Sequence, residues 1–178
     1  MKPAVFLDRD GVINLAYIRN GKSYPPKDLS QLVILTGVEE SVKKLRKFGF
    51  EVVVVTNQPD ISNGNSSYEM VHKLHKEIQL LTGIKNYYIC PHVEVDRCSC
   101  RKPMPGLLLE AAKDLNLDLK KSYMVGDRWR DVSAGQSAGC KNFFIDYNYR
   151  EERPKEPFIT VLSLLHAVEI IIGENNDN

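Results

Sequence analysis

AVFLDRDGVIN, residues 4–14, decides how this chain is read. Four apolar residues run into two aspartates separated by one arginine, and Gly11 follows at once. The apolar run has the continuity of a strand buried on both faces. Two carboxylates at the tip of such a strand cost stability unless a metal or a substrate uses them.

Outward from this stretch, short apolar runs alternate with segments of helical period. Residues 52–55 are four consecutive valines, and further strands are predicted at 87–89, 123–125 and 143–145. Thr36 and Glu39 form a capping signature before a helix with Val38, Val42 and Leu45 on one face, stopped by Gly49. Ser66 and Glu69 repeat the signature for a helix lined by Met70, Leu74, Ile78 and Leu81 and ended at Gly83. A third helix carries Leu108, Ala111, Ala112 and Leu115, a fourth spans 131–138, and a terminal one 160–171. Residues 14–31, with Asn20-Gly21 and Pro25-Pro26, read as a long loop. Strand followed by helix, repeated, gives the α/β class: a Rossmann-like parallel sheet with helices on both faces. At 178 residues the chain reads as a single domain over 1–178.

In such sheets ligands bind beyond the carboxyl ends of the strands. Those ends carry Asp8 and Asp10, Thr56 and Asn57, Arg101 and Lys102, and Asp127 followed by Asp131. Carboxylates gathered this closely repel one another, and a hard divalent cation with oxygen ligands, Mg²⁺, neutralises them.

Between the third strand and the third helix, Cys90, His92, Cys98 and Cys100 form a C-x-H-x5-C-x-C arrangement. Two short ligand pairs on one loop can close tetrahedrally on Zn²⁺, and thiolates with an imidazole favour zinc over magnesium. All four positions are protein ligands, so the zinc is expected to be structural and to fix the neighbouring Arg101-Lys102. Cys140 reads as a packed thiol, and His72, His75 and His166 as surface or shoulder residues of their helices.

With 24 Lys plus Arg against 23 Asp plus Glu, the net charge of +1 creates no field for nucleic acid or anionic membranes. No basic stripe with interleaved aromatics tracks a nucleic-acid backbone. The N-terminal MKPAVFLDRD reads as neither signal nor membrane segment, and the apolar stretch near the C-terminus carries His166 and Glu169. A cytoplasmic protein is expected, in keeping with cysteines clustered for metal.

AVFLDRDGVIN, VVVVTNQ, CRKPMPG and MVGDRWRD together resemble, in order, the four motifs of the haloacid dehalogenase-like phosphatases. The resemblance implies that Asp8 is the nucleophile that becomes an aspartyl-phosphate and that Asp10 is the general acid and base. It further implies that Thr56 and the Asn57 amide hold phosphoryl oxygens and that Lys102 supplies positive charge at the reacting centre. The Asp8 carboxylate, the Asp10 carbonyl and Asp127 would ligate Mg²⁺, and Asp131 would bind it through water or orient Lys102. Arg9 would point away from the site, on the other side of the extended chain.

The zinc loop narrows the resemblance to the branch of D-glycero-D-manno-heptose 1,7-bisphosphate phosphatases and histidinol-phosphate phosphatases, which lack a large cap domain. The implied partner is a small phosphorylated metabolite, first a sugar bisphosphate hydrolysed to the heptose 1-phosphate, with Arg101 on its distal part. Histidinol phosphate or another sugar phosphate is the alternative substrate, and a zinc-stabilised binding protein the alternative class. A monomer is expected. Pro59 and Asp60 depart from the small, flexible pair usual in the branch.

Overall fold

The computed structural model describes residues 1–176. Six parallel strands form one sheet in the order β5-β4-β1-β6-β7-β8: β1 Ala4–Leu7, β4 Glu51–Asn57, β5 Asn86–Cys90, β6 Tyr123–Gly126, β7 Lys141–Ile145 and β8 Ile159–Val161. Two short strands, β2 Tyr17–Arg19 and β3 Lys22–Tyr24, pair separately as an antiparallel hairpin. The helices are α1 Val38–Lys47, α2 Tyr68–Thr82, α3 Gly106–Leu115, α4 Trp129–Ala138 and α5 Leu164–Asn176.

Alternation along the strands builds two cores. Val5, Leu7, Val52 and Val54 face α1 and α5 through Val42, Leu45, Leu164 and Val168. Ala4, Phe6, Val53 and Val55 face α3 and α4 through Leu107, Leu108, Ala111 and Ala134. Every residue of β1 is buried, as its position at the centre of the sheet requires. Leu7 lies in register with Val54 of β4 and Val125 of β6, so the three neighbouring parallel strands deliver Asp8, Thr56 and Asp127 to one edge.

The five expected strands are present, and three further ones were not foreseen. The segment expected as a loop at 14–31 contains the β2–β3 hairpin, whose three-residue strands are too short for a period to show. β8 uses Ile159–Val161, so the last helix begins at Leu164, not 160. α2 is capped by Ser67, whose hydroxyl accepts from the Met70 amide, and not by Ser66. Its buried face is Val71, Leu74, His75, Ile78 and Thr82, which leaves Leu81 exposed and takes His75 inside. Gly37 caps α1 without a side chain, and α4 starts at Trp129.

Candidate active site

Asp8 follows β1 directly, its amide bonded to the Val125 carbonyl at 3.0 Å. Lys102 Nζ, 2% exposed, donates to Asp8 Oδ1 at 2.8 Å and to the Val55 carbonyl at 2.8 Å, and lies 2.6 Å from Asp131 Oδ1. Burial opposes charge on this lysine, but the Asp131 and Asp8 carboxylates outweigh it and hold its pKa above the ordinary value. Asn57 places the lysine: its Nδ2 donates to the Lys102 carbonyl at 3.0 Å and its Oδ1 accepts from the Lys102 amide at 3.1 Å.

Asp8, Asp127 and Asp131 can bring carboxylate oxygens within 4.8 Å of one another, and all three are buried. Burial pushes Asp8 up to about 6, with the charges of Asp131 and Asp10 adding and Lys102 subtracting. Burial also raises Asp127, with Asp8 and Asp131 adding to it. Asp127 Oδ2 accepts from the Tyr149 hydroxyl at 2.7 Å, whereas its Oδ1 is buried without a partner. An orphaned carboxylate oxygen facing like charges fits a hard cation, which would satisfy that oxygen and remove the repulsion.

Glycine is required at two points of this cluster. Gly11 has φ +88°, and a Cβ there would stand 2.1 Å from Asp127 Oδ2. A Cβ at Gly126 would stand 2.1 Å from the Asp131 Cβ. Asp131 completes the start of α4 by accepting from the Arg128 amide at 3.0 Å.

Asp10 is held by four donors. Its Oδ1 accepts from Arg9 Nε at 3.1 Å and Asn14 Nδ2 at 2.9 Å, and its Oδ2 from Arg9 Nη2 at 2.9 Å and Gln58 Nε2 at 2.9 Å. Arg9 therefore turns toward its neighbour, contrary to the alternation expected from an extended chain. β1 ends at Leu7, and past it the backbone folds into a turn in which the Arg9 carbonyl accepts from the Ile13 and Asn14 amides. Arg9 is fully buried and also donates to Gln58 Oε1 at 3.1 Å and to His75 Nε2 at 3.3 Å. His75 is thus part of the site's support and not the shoulder residue its sequence suggested. Thr56 is buried beside this network, its Oγ1 accepting from Gln58 Nε2 at 2.9 Å.

A cavity of about 270 Å³ opens over these groups, lined by Asp8, Asp10, Asn57, Lys102 and Asp131 on its floor. Ser23, Tyr24 and Pro25 of the hairpin, Pro59, Asp60 and Asn63, and Arg128 and Arg130 form its walls. The Pro59-Asp60 pair is thus part of the pocket wall. Arg101 is outside this lining. It donates to the His92 carbonyl at 2.9 Å and lines an adjoining cavity of about 200 Å³, which shares Lys102 and Arg130 with the first.

The cysteine loop closes on itself. Cys100 Sγ lies 3.2 Å from Cys90 Sγ, 3.4 Å from Cys98 Sγ and 3.3 Å from His92 Nδ1, and Cys90 Sγ lies 3.7 Å from Cys98 Sγ. A tetrahedral zinc with metal–sulfur bonds of about 2.3 Å needs sulfurs about 3.8 Å apart, so the donor set fits with small expansion. Burial works against the Cys98 thiolate, but the Arg101 amide and the neighbouring thiols bring its pKa down to about 7. One thiolate is therefore available near neutral pH.

No helix among the described residues is long and apolar enough to cross a membrane. The site residues missed in the sequence are His75, Gln58, Tyr147 and Tyr149. Gln58 closes the quoted motif VVVVTNQ, where it was given no role, whereas the tyrosines reach the site from a loop with no local pattern to announce them.

A sequence model of the haloacid dehalogenase-like hydrolases matches residues 27–139. Relatives include the D-glycero-beta-D-manno-heptose-1,7-bisphosphate 7-phosphatase of Pasteurella multocida, 35% identical over 155 residues and 80% of each chain. The enzyme of the same name from Escherichia coli K12 is 36% identical over 150 residues, 76% of this chain and 74% of that one. Among solved structures, the D,D-heptose 1,7-bisphosphate phosphatase of B. bronchiseptica, complexed with magnesium and phosphate, superposes with a TM-score of 0.83. It shares 26% identity, and the match covers 97% of this chain and 99% of that one. With its motifs gathered at one sheet edge and these relatives spanning most of its length, the chain belongs to the haloacid dehalogenase-like hydrolases.

Proposed function

We propose that this hydrolase removes the 7-phosphate of D-glycero-D-manno-heptose 1,7-bisphosphate, using Mg²⁺ and leaving the heptose 1-phosphate. The observation that carries the reading is the buried cluster of Asp8, Asp127 and Asp131 around Lys102 at the floor of an open polar cavity. The substrate is taken from relatives named for it that align over about four fifths of the chain.

In this reading an Asp8 oxygen attacks phosphorus while the bond from phosphorus to the sugar oxygen breaks. Asp10 delivers a proton to that departing oxygen, then accepts one from the water that attacks the aspartyl-phosphate, releasing phosphate and restoring Asp8. Asp10 must leave some of its four donors to do so, and Arg9, Gln58 and Asn14 define the position to which it returns. Lys102 holds the charge that builds on the phosphoryl oxygens. The Thr56 hydroxyl, already an acceptor from Gln58, keeps its own hydrogen for one of them. Asp8, Asp127 and the Asp10 carbonyl would hold Mg²⁺, with Asp131 orienting Lys102. When bound, the cation supplies the Lewis acidity that lets an anionic nucleophile approach an anionic ester.

Arg101 and Arg130, around the adjoining cavity, suit the distal phosphate. Cys90, His92, Cys98 and Cys100 would hold a structural zinc that fixes Arg101 and Lys102. The reading takes the chain as one domain acting as a cytoplasmic monomer, with every group named above supplied by one chain.

The test is phosphate release from the heptose bisphosphate, histidinol phosphate and simple sugar monophosphates, with and without Mg²⁺, beside Asp8→Asn. The heptose bisphosphate should turn over fastest, and Asp8→Asn should lower kcat by about a thousandfold or more. Faster turnover of histidinol phosphate would displace the substrate, and an active Asp8→Asn would displace the mechanism.

A further inference from the structure

Asp127 stands deepest among the site's carboxylates, 1% exposed, and its two oxygens are treated differently. Oδ1 has no partner, while Oδ2 receives the Tyr149 hydroxyl at 2.7 Å. A carboxylate with one oxygen tied and one open is restricted in rotation, and the open oxygen is the one left to a cation.

The segment that carries Tyr149 is itself anchored to the site at three points. Tyr147 and Tyr149 stack at 5.7 Å between ring centroids. The Tyr147 hydroxyl donates to the Gly11 carbonyl at 3.0 Å, in the turn that follows Asp10. Asn148 between them takes a left-handed φ of +55°, with its amide donating to Asp146 Oδ1 at 2.8 Å. That turn brings both rings to one side. The Arg150 amide donates to the Gly21 carbonyl at 3.0 Å, in the turn between β2 and β3. Ser23 and Tyr24 of that hairpin line the substrate cavity, so the segment that carries Tyr149 is joined to both the carboxylate and the cavity wall.

We propose that Tyr149 is a positioning residue: its hydroxyl fixes Asp127 so that Oδ1 meets Mg²⁺, and through the neighbouring Arg150 amide its segment links the β2–β3 hairpin to that carboxylate. The assignment rests on the Mg²⁺-dependent phosphatase reading above. Tyr149 does not touch the reacting atoms. Its effect passes through the metal affinity of Asp127 and through the position of the hairpin that walls the pocket.

The experiment is calorimetric titration of the full-length, zinc-replete protein with MgCl₂, comparing wild type with Tyr149→Phe. The ring and its stack on Tyr147 remain, and only the hydroxyl is lost. The affinity for Mg²⁺ should fall about tenfold or more, in the range seen when the outer partner of a metal ligand is removed. Phosphatase kcat should return to near the wild-type value at saturating Mg²⁺, which a general packing defect would not allow. In wild-type protein with ¹³C-labelled tyrosine rings, the Tyr149 resonance should shift with the calorimetric midpoint, and this decides the matter if Tyr149→Phe fails to fold.

An unchanged Mg²⁺ affinity, a loss of kcat that Mg²⁺ does not restore, or a Tyr149 resonance indifferent to Mg²⁺ overturns the proposal and leaves the phosphatase reading standing. A wild-type protein that binds no Mg²⁺ overturns both.

Discussion

His75 should make this protein acid-sensitive in a defined window. The imidazole is 4% exposed on the inner face of α2, stacked on Tyr87 at 4.4 Å between centroids with 19° between planes. Its Nε2 accepts from Arg9 Nη1 at 3.3 Å, which requires the neutral ring, and its Nδ1 has no partner. Burial first, then the Arg9 charge and His72, push its pKa from 6.5 to about 3. The unfolded chain therefore takes up a proton near pH 6.5 that the folded chain refuses until about pH 3. Stability from neutral His75 is complete above the unfolded pKa and is lost as pH falls between those values.

At about 1.36 kcal/mol for each pH unit, that loss reaches about 2 kcal/mol by pH 5. Asp8, raised to about 6, acts in the opposite sense, because its folded form binds the proton more tightly than the unfolded chain does. Its contribution rises as pH falls, so the wild-type curve alone does not isolate the histidine. The difference between wild type and His75→Gln does, because the substituted amide can accept from Arg9 and does not titrate. Urea unfolding from pH 7.5 to 5 should show His75→Gln about 1 kcal/mol less stable at the upper end, from the lost stack. By pH 5 it should match or exceed wild type, a relative change of about 2 kcal/mol. Parallel curves over that range would refute the account of a buried neutral imidazole held against Arg9.

Gly11→Ala would place a methyl 2.1 Å from Asp127 Oδ2 at a φ of +88°. It should destabilise the fold by about 2 kcal/mol or more in urea unfolding and weaken Mg²⁺ binding by calorimetry. Lys102→Met removes the cation between Asp8 and Asp131 and should cost about 3–5 kcal/mol in metal-free protein, part of it recovered by Mg²⁺. Elemental analysis of protein expressed with adequate zinc should find about one zinc per chain, bound by Cys90, His92, Cys98 and Cys100. Cys98→Ala should lose that zinc and raise the KM for the bisphosphate more than for a monophosphate, measured by phosphate release.

The parallel sheet and its functional edge were legible because buried central strands leave continuous apolar runs, and the residue after each run is where ligands sit. Asp8, Thr56 and Asp127 follow that logic directly, and Lys102 and Asp131 reach the same edge from the loop after β5 and the first turn of α4. Arg9 did not, because period-two alternation holds only while the backbone stays extended, and the turn after Leu7 sends its guanidinium onto Asp10. His75 was misread by the rotation of one helical face: a pattern anchored on Met70 and Leu81 puts it at the shoulder, whereas Val71 and Thr82 bury it. Tyr149 reaches Asp127 across 22 residues of chain, and nothing in DYNYREER marks it apart from an ordinary linker.

Charge connects the cation to the choice of substrate. Asp8, Asp127 and Asp131 against Lys102 leave two negative charges in a buried site, the amount one divalent cation neutralises. Asp10 adds nothing to that excess, because Arg9 pairs with both of its oxygens. A phosphate ester thus meets a floor near neutrality, and attraction for a second anionic group must come from the walls. Arg128 is engaged by Glu151 through Nε at 3.1 Å and Nη2 at 2.9 Å. Arg130, stacked on Trp129, pairs with the exposed Glu94 at 3.4 Å, and Arg101 bonds a carbonyl. Arg101 and Arg130 therefore border the cavity beside the cysteine loop, and Glu94 and Lys102 line that same cavity. In the reading proposed above, a metal held there, though remote from the reacting phosphorus, would set where a distal phosphate can bind, so its removal should abolish selectivity for a bisphosphate before the ability to cleave a phosphate ester.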